Sequence, residues 1–261
     1  KWETTQEKIP VYHKYTGDLI AYVGKPSFEQ TSKAVENAKN TFLEKKFTVN
    51  ERSEILLNAA NLLKKNKQEL ALILTKETGN TINESLKEID RCEFTFIACA
   101  EEAKRIVGEI LPIESMKGYE NRFGYTMRVP VGVVCAITPF NGPLNLASHK
   151  VAPAIAAGNT VVLKPSPTTP LSAVYFAEIL QEAGLPDGYL NVVFGDADVG
   201  TWLLHDKRIS FYTFTGSPQV GEFIKRETGL RRVALELGSN AATIVCEDAD
   251  IKEAAKLCAQ R

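Results

Sequence analysis

Apolar residues recur at two different spacings along the chain. Up to about residue 23 the sequence is typical of short extended pieces, and from there to about residue 108 apolar positions recur every three or four residues, the period of helices with one buried face. Ser27 and Gln30 have the spacing of a capping box at the start of the first helix. A second helix is expected over about 55–74. A third has an apolar stripe that gives Cys92 a structural role in a helix interface, formed by Ile82, Leu86, Ile89, Cys92, Phe96, Ala100 and Ala103.

Beyond residue 130 the pattern changes to short, β-branched apolar runs separated by helical segments. This alternation predicts a parallel sheet covered by helices on both faces. One of the helices is expected over 172–183, with Thr169 as its cap, Pro170 in its first turn and Gly184 just past its end. We therefore expect an α/β fold with a doubly wound parallel sheet at 130–261, packed against the helical segment 1–108. The expected strands lie at 131–137, 160–163, 190–194, 211–214, 233–235 and 242–245.

Composition and charge exclude several classes of function. The chain has 31 Lys and Arg against 32 Asp and Glu, a net charge of −1, so it offers no basic footprint for nucleic acid or an anionic membrane. With 44% apolar and 24% charged residues it resembles an ordinary globular protein. The N-terminus lacks the apolar core of a signal peptide, and the longest weakly charged stretch is broken by prolines, so we expect neither secretion nor a membrane span.

Cysteine and histidine usage argues against disulfides and metal sites. The five cysteines are an odd number without a C-x-x-C pair, which favours the reducing cytosol, and none of the three histidines has H-E-x-x-H spacing. The chain also lacks G-x-G-x-x-G, a P-loop and G-x-S-x-G, the usual signals of dinucleotide binding, nucleotide hydrolysis and serine hydrolases.

Polar groups follow four of the predicted strands. The stretch 129–164 contains only two charges, Lys150 and Lys164, and the second ends a strand. Because α/β folds bind ligands at the carboxyl ends of their parallel strands, these positions are candidate site residues. They lie in Thr138-Pro-Phe-Asn141, Lys164-Pro-Ser166, Phe214-Thr-Gly-Ser217 and Leu235-Glu-Leu-Gly238.

Three longer motifs contain these strand ends: ITPFNGPLNLASHKVAPAIAAGNTVVLKPSPTTPL at 137–171, FTGSPQVG at 214–221 and LELGSNAATIV at 235–245. Through them the sequence resembles the aldehyde dehydrogenase superfamily, from the N-terminal helices to the last residue. The resemblance implies a Rossmann-like NAD(P)-binding domain, NAD or NADP as cofactor and a small-molecule aldehyde as substrate.

The resemblance also implies roles for individual residues. Asn141 matches the family's side-chain donor to the oxyanion, and Glu236 matches the general base that activates water to hydrolyse a thioester. Lys164 is similar to the residue that bonds the adenosine ribose, and Ser217 opens a helix suited to the pyrophosphate. No metal is implied. The full set of implied cofactor contacts is Thr138, Pro139, Phe140, Lys164, Ser166, Gly216, Ser217, Gly221, Leu237 and Gly238.

The family's nucleophilic cysteine has no counterpart here. It lies about three dozen residues beyond the glutamate, which places it near position 270. Cys258 falls inside an expected helix at 251–260 without the family's Gly-Gln context, so we expect it, like Cys246, to be structural. The chain is therefore expected to be the cofactor-binding half of the enzyme, without the catalytic domain and inactive alone.

Further departures from the family pattern concern selectivity and assembly. Gly142 replaces a frequent Phe, which predicts a differently shaped substrate entrance, and Ser239 replaces the second glycine of a Gly-Gly pair. Pro167 stands where NAD-preferring members often carry Glu, which predicts that NADP is tolerated. The stretch 119–129 is similar to the family's oligomerisation hairpin, so a homodimer or homotetramer is expected for the full-length enzyme.

The leading interpretation is NAD(P)-dependent oxidation of an aldehyde to a carboxylic acid through a cysteine thiohemiacetal and a thioester. Two alternatives stay open: a CoA-acylating or reductive member of the family, against which Glu236 weighs, and a non-catalytic NAD(P)-binding module.

Overall fold

A computed structural model describes residues 2–44 and 46–259. The strands are β1 (Glu7–Tyr12), β2 (Leu19–Lys25), β3 (Ile110–Leu111), β4 (Gly124–Tyr125), β5 (Val133–Ile137), β6 (Thr160–Lys164), β7 (Leu190–Val192), β8 (Ile209–Thr215) and β9 (Arg232–Glu236). The helices are α1 (Phe28–Glu44), α2 (Val49–Lys65), α3 (Lys67–Thr78), α4 (Ile82–Ala103), α5 (Pro143–Ala156), α6 (Leu171–Glu182), α7 (Ala197–His205), α8 (Pro218–Thr228) and α9 (Ile251–Ala259), with a 3-10 turn at Ile113–Ser115.

Five parallel strands form the central sheet in the order β7-β6-β5-β8-β9. The first strand of the sheet, β5, lies in the middle; the chain builds outward through β6 and β7, then returns across β5 to add β8 and β9. The predicted doubly wound parallel sheet is confirmed. The strand order reverses between β5 and β8, which in such sheets opens a crevice at the carboxyl ends of the strands.

Helices cover both faces of this sheet. Helices α5 and α6 pack on one face and contact α2, α3 and α4, so the N-terminal helices share one core with the sheet. The rings of Phe96 on α4 and Phe176 on α6, both fully buried, lie 5.8 Å apart in this core. The opposite face buries Val35 of α1, Leu203 of α7 and Ile224 of α8.

The N-terminal helices follow their sequence pattern closely. The backbone N–H of Ser27 donates to Gln30 Oε1 at 3.1 Å and that of Gln30 to Ser27 Oγ at 3.2 Å, which confirms the predicted capping box. The expected second helix is divided at Asn66 into α2 and α3. Within the α4 stripe the residues from Ile89 to Ala103 are buried, Cys92 among them, whereas Ile82 at the helix start is 37% exposed.

The strand predicted at 242–245 is wrong. These residues lie in an irregular segment, and Ile244 is 84% exposed. A β-branched run becomes a strand only beside a partner, and in the described part of the chain β9 forms the edge of the sheet with nothing paired to its outer side.

The predicted cap of α6 is also wrong. Thr169 does not cap the helix: its Oγ1 is buried without a hydrogen-bond partner, and Pro170 occupies the cap position. The N–H groups of Leu171 and Ser172, which have no partner within the helix, donate to the carboxylate of Glu77 on α3. Local spacing could not reveal a cap that comes from so far along the chain.

In the last described segment, residues 239–259 are almost all exposed. No residue of α9 is buried, and Cys246 and Cys258 are both exposed, so neither has the packed structural role expected for it. The expected last helical residue, Gln260, lies outside the described residues.

The hairpin expected at 119–129 is only partly formed. Strand β4 lies within this stretch and pairs antiparallel with β3, which precedes it in the chain. Each of the two strands has two residues. Within residues 2–44 and 46–259, no helix is long and apolar enough to cross a membrane.

Candidate cofactor and active site

The carboxyl ends of four neighbouring strands form one edge of the sheet. The N–H of Thr138, just beyond β5, donates to the carbonyl of Lys164 at the end of β6 over 3.1 Å. The N–H of Gly216, just beyond β8, donates to the carbonyl of Glu236 at the end of β9 over 3.0 Å. Because β5 and β8 are themselves paired, these four residues follow one another along the edge in the order of the strands.

The loop between β5 and α5 lies on one side of the crevice. Thr138 is buried with its Oγ1 lacking a hydrogen-bond partner, and Pro139 is partly buried. Phe140 is 61% exposed and Asn141 is exposed, directly before the first turn of α5. The Asn141 amide is therefore accessible to a ligand from the solvent side of this edge.

The start of α8 lies on the other side of the crevice. Ser217 is the N-cap of α8, and its Oγ accepts the N–H of Val220 at 3.4 Å. Gly221 is buried beneath Leu237, since a Cβ at position 221 would overlap the Leu237 side chain.

The segment after β9 lies against the first turn of α8. A Cβ at Gly238 would come within 3.3 Å of the Pro218 ring. The N-terminus of a helix favours an anionic ligand through its free N–H groups and its dipole.

Lys164 is a largely buried lysine at the end of β6. It is 7% exposed, and its side chain passes Gly200, where a Cβ would lie 3.8 Å from Lys164 Cε. Burial lowers the pKa of Lys164, and the nearby Asp196 and Asp198 carboxylates oppose that shift. Across the described residues, Lys164 Nζ has neither a hydrogen bond nor an ion pair, so this ammonium is available to a polar ligand.

The loop after β6 carries hydroxyl groups. Ser166 is partly buried, and its Oγ lies 2.8 Å from Thr168 Oγ1. Pro167 lies between them, so this loop presents no carboxylate to a ligand that approaches Lys164.

Lys150, to which the motifs assigned no role, also lies at this edge of the sheet. This α5 residue is 6% exposed, and its Nζ donates to Thr215 Oγ1 at 2.8 Å and to Thr213 Oγ1 at 3.2 Å. Burial lowers the pKa of Lys150 to about 8, against the opposing effect of the Glu236 carboxylate. The signal that could have revealed it was present, because Lys150 is one of two charges in an otherwise apolar stretch.

Two basic side chains, Arg91 on α4 and His149 on α5, lie close enough to interact electrostatically. Burial lowers the pKa of His149 on α5, and the positive charges of Lys150 and Arg91 lower it further. Asn145, one turn before His149 on the same helix, has a buried Oδ1 without a hydrogen-bond partner. Arg91 therefore adds positive charge at the α4–α5 contact, whereas the lowered pKa of His149 leaves its imidazole neutral at pH 7.

No metal centre is present in the part of the chain that the structure describes: no three His, Cys, Asp or Glu side chains are grouped so that they could hold an ion.

Comparison with known proteins identifies the family. The family model described as "Aldehyde dehydrogenase family" matches residues 2–261. A 3-sulfolactaldehyde dehydrogenase of Priestia aryabhattai is 51% identical over 262 residues, which cover 100% of this chain and 55% of that protein. A mitochondrial succinate-semialdehyde dehydrogenase of Oryza sativa subsp. japonica is 41% identical, over 95% of this chain and 47% of that protein.

Solved structures of other proteins have the same fold as this chain over nearly all of its residues. An NADP-dependent glyceraldehyde-3-phosphate dehydrogenase from Bacillus halodurans C-125, solved with NADP, has a TM-score of 0.93 at 33% identity, covering 98% of this chain and 55% of that one. A betaine aldehyde dehydrogenase from Staphylococcus aureus, solved with NAD+, has a TM-score of 0.93 at 29% identity, covering 98% and 53%. The chain spans about half the length of the relatives it matches. It belongs, over essentially all its residues, to the aldehyde dehydrogenase family.

Proposed function

We propose that this chain binds NAD or NADP at the carboxyl edge of its sheet and contributes Asn141 and Glu236 to the oxidation of an aldehyde to a carboxylic acid. The observation that carries the proposal is the unpartnered ammonium of Lys164 on the same edge as the open N-terminus of α8. A dinucleotide offers a hydroxyl-rich ribose to the first and a pyrophosphate to the second.

The residues present fit such a cofactor. Lys164 and Ser166 would hold the adenosine ribose, and Gly216 and Ser217 at the start of α8 would hold the phosphates. Gly221 lies beneath Leu237, so its contact with the phosphates requires that the Leu237 side chain move. Two segments flank the remaining half of the crevice and would hold the nicotinamide end, namely Thr138, Pro139 and Phe140 on one side and Leu237 and Gly238 on the other. When bound, the cofactor accepts the hydride.

Asn141 and Glu236 would act on the aldehyde itself. The exposed Asn141 amide can donate to the oxygen that gains negative charge when a thiolate attacks the carbonyl. The exposed Glu236 carboxylate can take a proton from the water that hydrolyses the thioester. The thiolate is not Cys246 or Cys258, since neither follows a strand end of the sheet, so we expect this chain alone to bind cofactor without turning over aldehyde.

We further propose that NADP is accepted. With Pro167 between Ser166 and Thr168, no carboxylate on this loop repels a 2′-phosphate, while two hydroxyls and Lys164 can bond to it. The solved relative that holds NADP supports this reading.

For the substrate we propose a short aldehyde with an anionic group. Arg91 supplies positive charge near Glu88, whose carboxylate reaches the Asn141 loop at Gly142. The relatives named for 3-sulfolactaldehyde and succinate semialdehyde support it, because both compounds carry an acidic group besides the aldehyde. Loss of the anionic group from the substrate, or Arg91→Ala in the full-length enzyme, should raise KM with little change in kcat.

Titration calorimetry of this chain tests the cofactor proposal. Wild-type protein should bind both cofactors, with NADP at least as tight as NAD, and Lys164→Met should weaken NADP binding about tenfold or more because it removes a charged donor. Lys65→Met, an exposed lysine of α2, is the matched control and should bind normally. Absence of binding to either cofactor would refute the proposal, as would aldehyde turnover by this chain that Cys258→Ser abolishes.

Location and assembly belong to the same proposal. Free cysteines throughout the described residues suit the reducing cytosol.

The β3–β4 hairpin exposes Phe123, Tyr125 and Met127, which suits a homodimer or homotetramer of the full-length enzyme through this surface. Light scattering on wild-type protein and Tyr125→Glu would show whether this surface mediates assembly.

A further inference from the structure

Two buried carboxylates of the N-terminal helices hold the loops that carry the proposed site. We propose that Glu88 on α4 and Glu77 on α3 are positioning residues: Glu88 fixes the loop with Asn141, and Glu77 fixes the loop with Ser166. The inference rests on the proposed function, since it assigns to these loops the aldehyde step and cofactor binding respectively.

Glu88 contacts the start of α5. It is 6% exposed, and its Oε1 accepts the N–H of Leu144 at 2.9 Å and that of Asn145 at 3.0 Å. These N–H groups lie three and four residues beyond Asn141. The same oxygen would lie 3.9 Å from a Cβ at Gly142, so the carboxylate reaches the loop itself.

Glu77 makes the equivalent contact at the start of α6. It is fully buried; its Oε2 accepts the N–H of Leu171 at 2.8 Å and its Oε1 that of Ser172 at 2.9 Å. The loop 165–170, which contains Ser166, ends at these residues. Burial raises the pKa of Glu77 to about 7, so at pH 8 the side chain accepts both bonds as a carboxylate.

Neither helix can supply such a cap from its own first turn. The N-cap of α5 is Gly142, which has no side chain, and the N-cap of α6 is Pro170. In contrast, α2 and α4 cap themselves through Thr48 and Thr81. Burying a carboxylate is costly, and each of these two is retained where it satisfies a pair of otherwise unpaired N–H groups. The positions of the two loops therefore depend on residues 56 and 94 positions earlier in the chain.

The two carboxylates differ in how their oxygens are used, which gives a sharp test. Glu88 uses a single oxygen for both bonds, so Glu88→Gln can keep both with its amide oxygen. Glu77 uses one oxygen for each bond, so Glu77→Gln keeps one and turns an NH2 group toward the other N–H. Rescue by glutamine is thus expected at position 88 and not at position 77.

The experiment uses the full-length enzyme that contains this chain, at pH 8, with kcat at saturating substrate and NADP affinity measured on each variant. Glu88→Ala should lower kcat about 10- to 100-fold, because displacement of a catalytic group by about 1 Å has an effect of that size, and should leave NADP affinity unchanged. Glu88→Gln should restore most of kcat. Glu77→Ala and Glu77→Gln should both weaken NADP binding about tenfold and leave kcat at saturating NADP unchanged.

Glu51→Ala is the control, because it removes a carboxylate cap from α2 that contacts neither loop. It should lower the urea midpoint without changing kcat or affinity. If the alanine variants do not fold, the two glutamine variants decide, because NADP affinity should be unchanged in Glu88→Gln and about tenfold weaker in Glu77→Gln; equal NADP affinities in the two would overturn the inference. The inference is overturned if the folded variants keep wild-type kcat and affinity, or if kcat and affinity fall together at both positions. Failure of the wild-type enzyme to bind both NAD and NADP would instead overturn the proposed function.

Discussion

Lys150 allows a quantitative test of the electrostatics of the site. Its ammonium lies between α5 and β8, where burial lowers its pKa from 10.5 to about 8. Below pH 8 both the folded and the unfolded chain carry the proton, and the fold bears the cost of a buried charge. Between pH 8 and 10.5 the folded chain has lost the proton while the unfolded chain still holds it, so the free energy of unfolding rises with pH across this window.

The size of the effect follows from the two pKa values. At 1.36 kcal/mol per pKa unit, the difference corresponds to roughly 3 kcal/mol gained between pH 8 and 10.5. Lys150→Met removes the titrating group and should remove this contribution. The loss of the hydrogen bonds to Thr213 and Thr215 lowers the unfolding free energy of the variant by the same amount at every pH. The test is therefore how the unfolding free energy changes with pH.

Urea unfolding of this chain in reducing buffer, from pH 7 to 10.5, measures the profile. The free-energy difference between wild type and Lys150→Met should change by roughly 3 kcal/mol over this range, in the direction that favours the wild type at high pH. Lys65→Met, on the surface of α2, should follow the wild-type profile. Parallel profiles for wild type and Lys150→Met would show that the ammonium is not held in a desolvated position and would refute the reasoning.

Three further predictions concern packing and chemistry. Phe96→Ala should lower the free energy of unfolding by about 3–5 kcal/mol, measured in urea, since it empties a fully buried site against Phe176; a loss below about 1 kcal/mol would contradict a shared core. Gly158→Ala should cost about 1–3 kcal/mol in the same assay, because φ is +83° there and the new Cβ would collide with Arg52; an unchanged midpoint would contradict it. Cys258→Ser should change neither NADP affinity nor stability, since the thiol is exposed on α9, and weaker binding in calorimetry would assign it a role.

The sequence predicted the elements that depend on local pattern. The capping box at Ser27 and Gln30, the α4 stripe around Cys92 and the alternation of apolar runs and helices are each properties of neighbouring residues, and the structure shows all three. The run at 242–245 has the same local pattern as the true strands. The prediction of a strand there was wrong because a strand needs a partner strand, and local spacing does not show whether one is present.

In the candidate site, too, some features follow from local sequence and others only from the tertiary structure. The motifs identified Lys164, Ser217 and the other strand-end residues as polar groups in suitable positions, and the parallel sheet then places them along one edge. Lys150 was visible as a rare charge but not as a neighbour of Glu236, because α5 and β9 are far apart in the chain and meet only through β8.

What the sequence by itself determined is the class of the fold, the periodic helices and the identity of the polar groups at the strand ends. Only the tertiary structure decided which groups face one another: the strand order that opens the crevice between β5 and β8, the burial that lowers the pKa of Lys150, and the caps that α5 and α6 receive from Glu88 and Glu77. The physical reason is that hydrophobic period and turn chemistry act between near neighbours, whereas burial, charge and cap formation depend on which distant elements pack together.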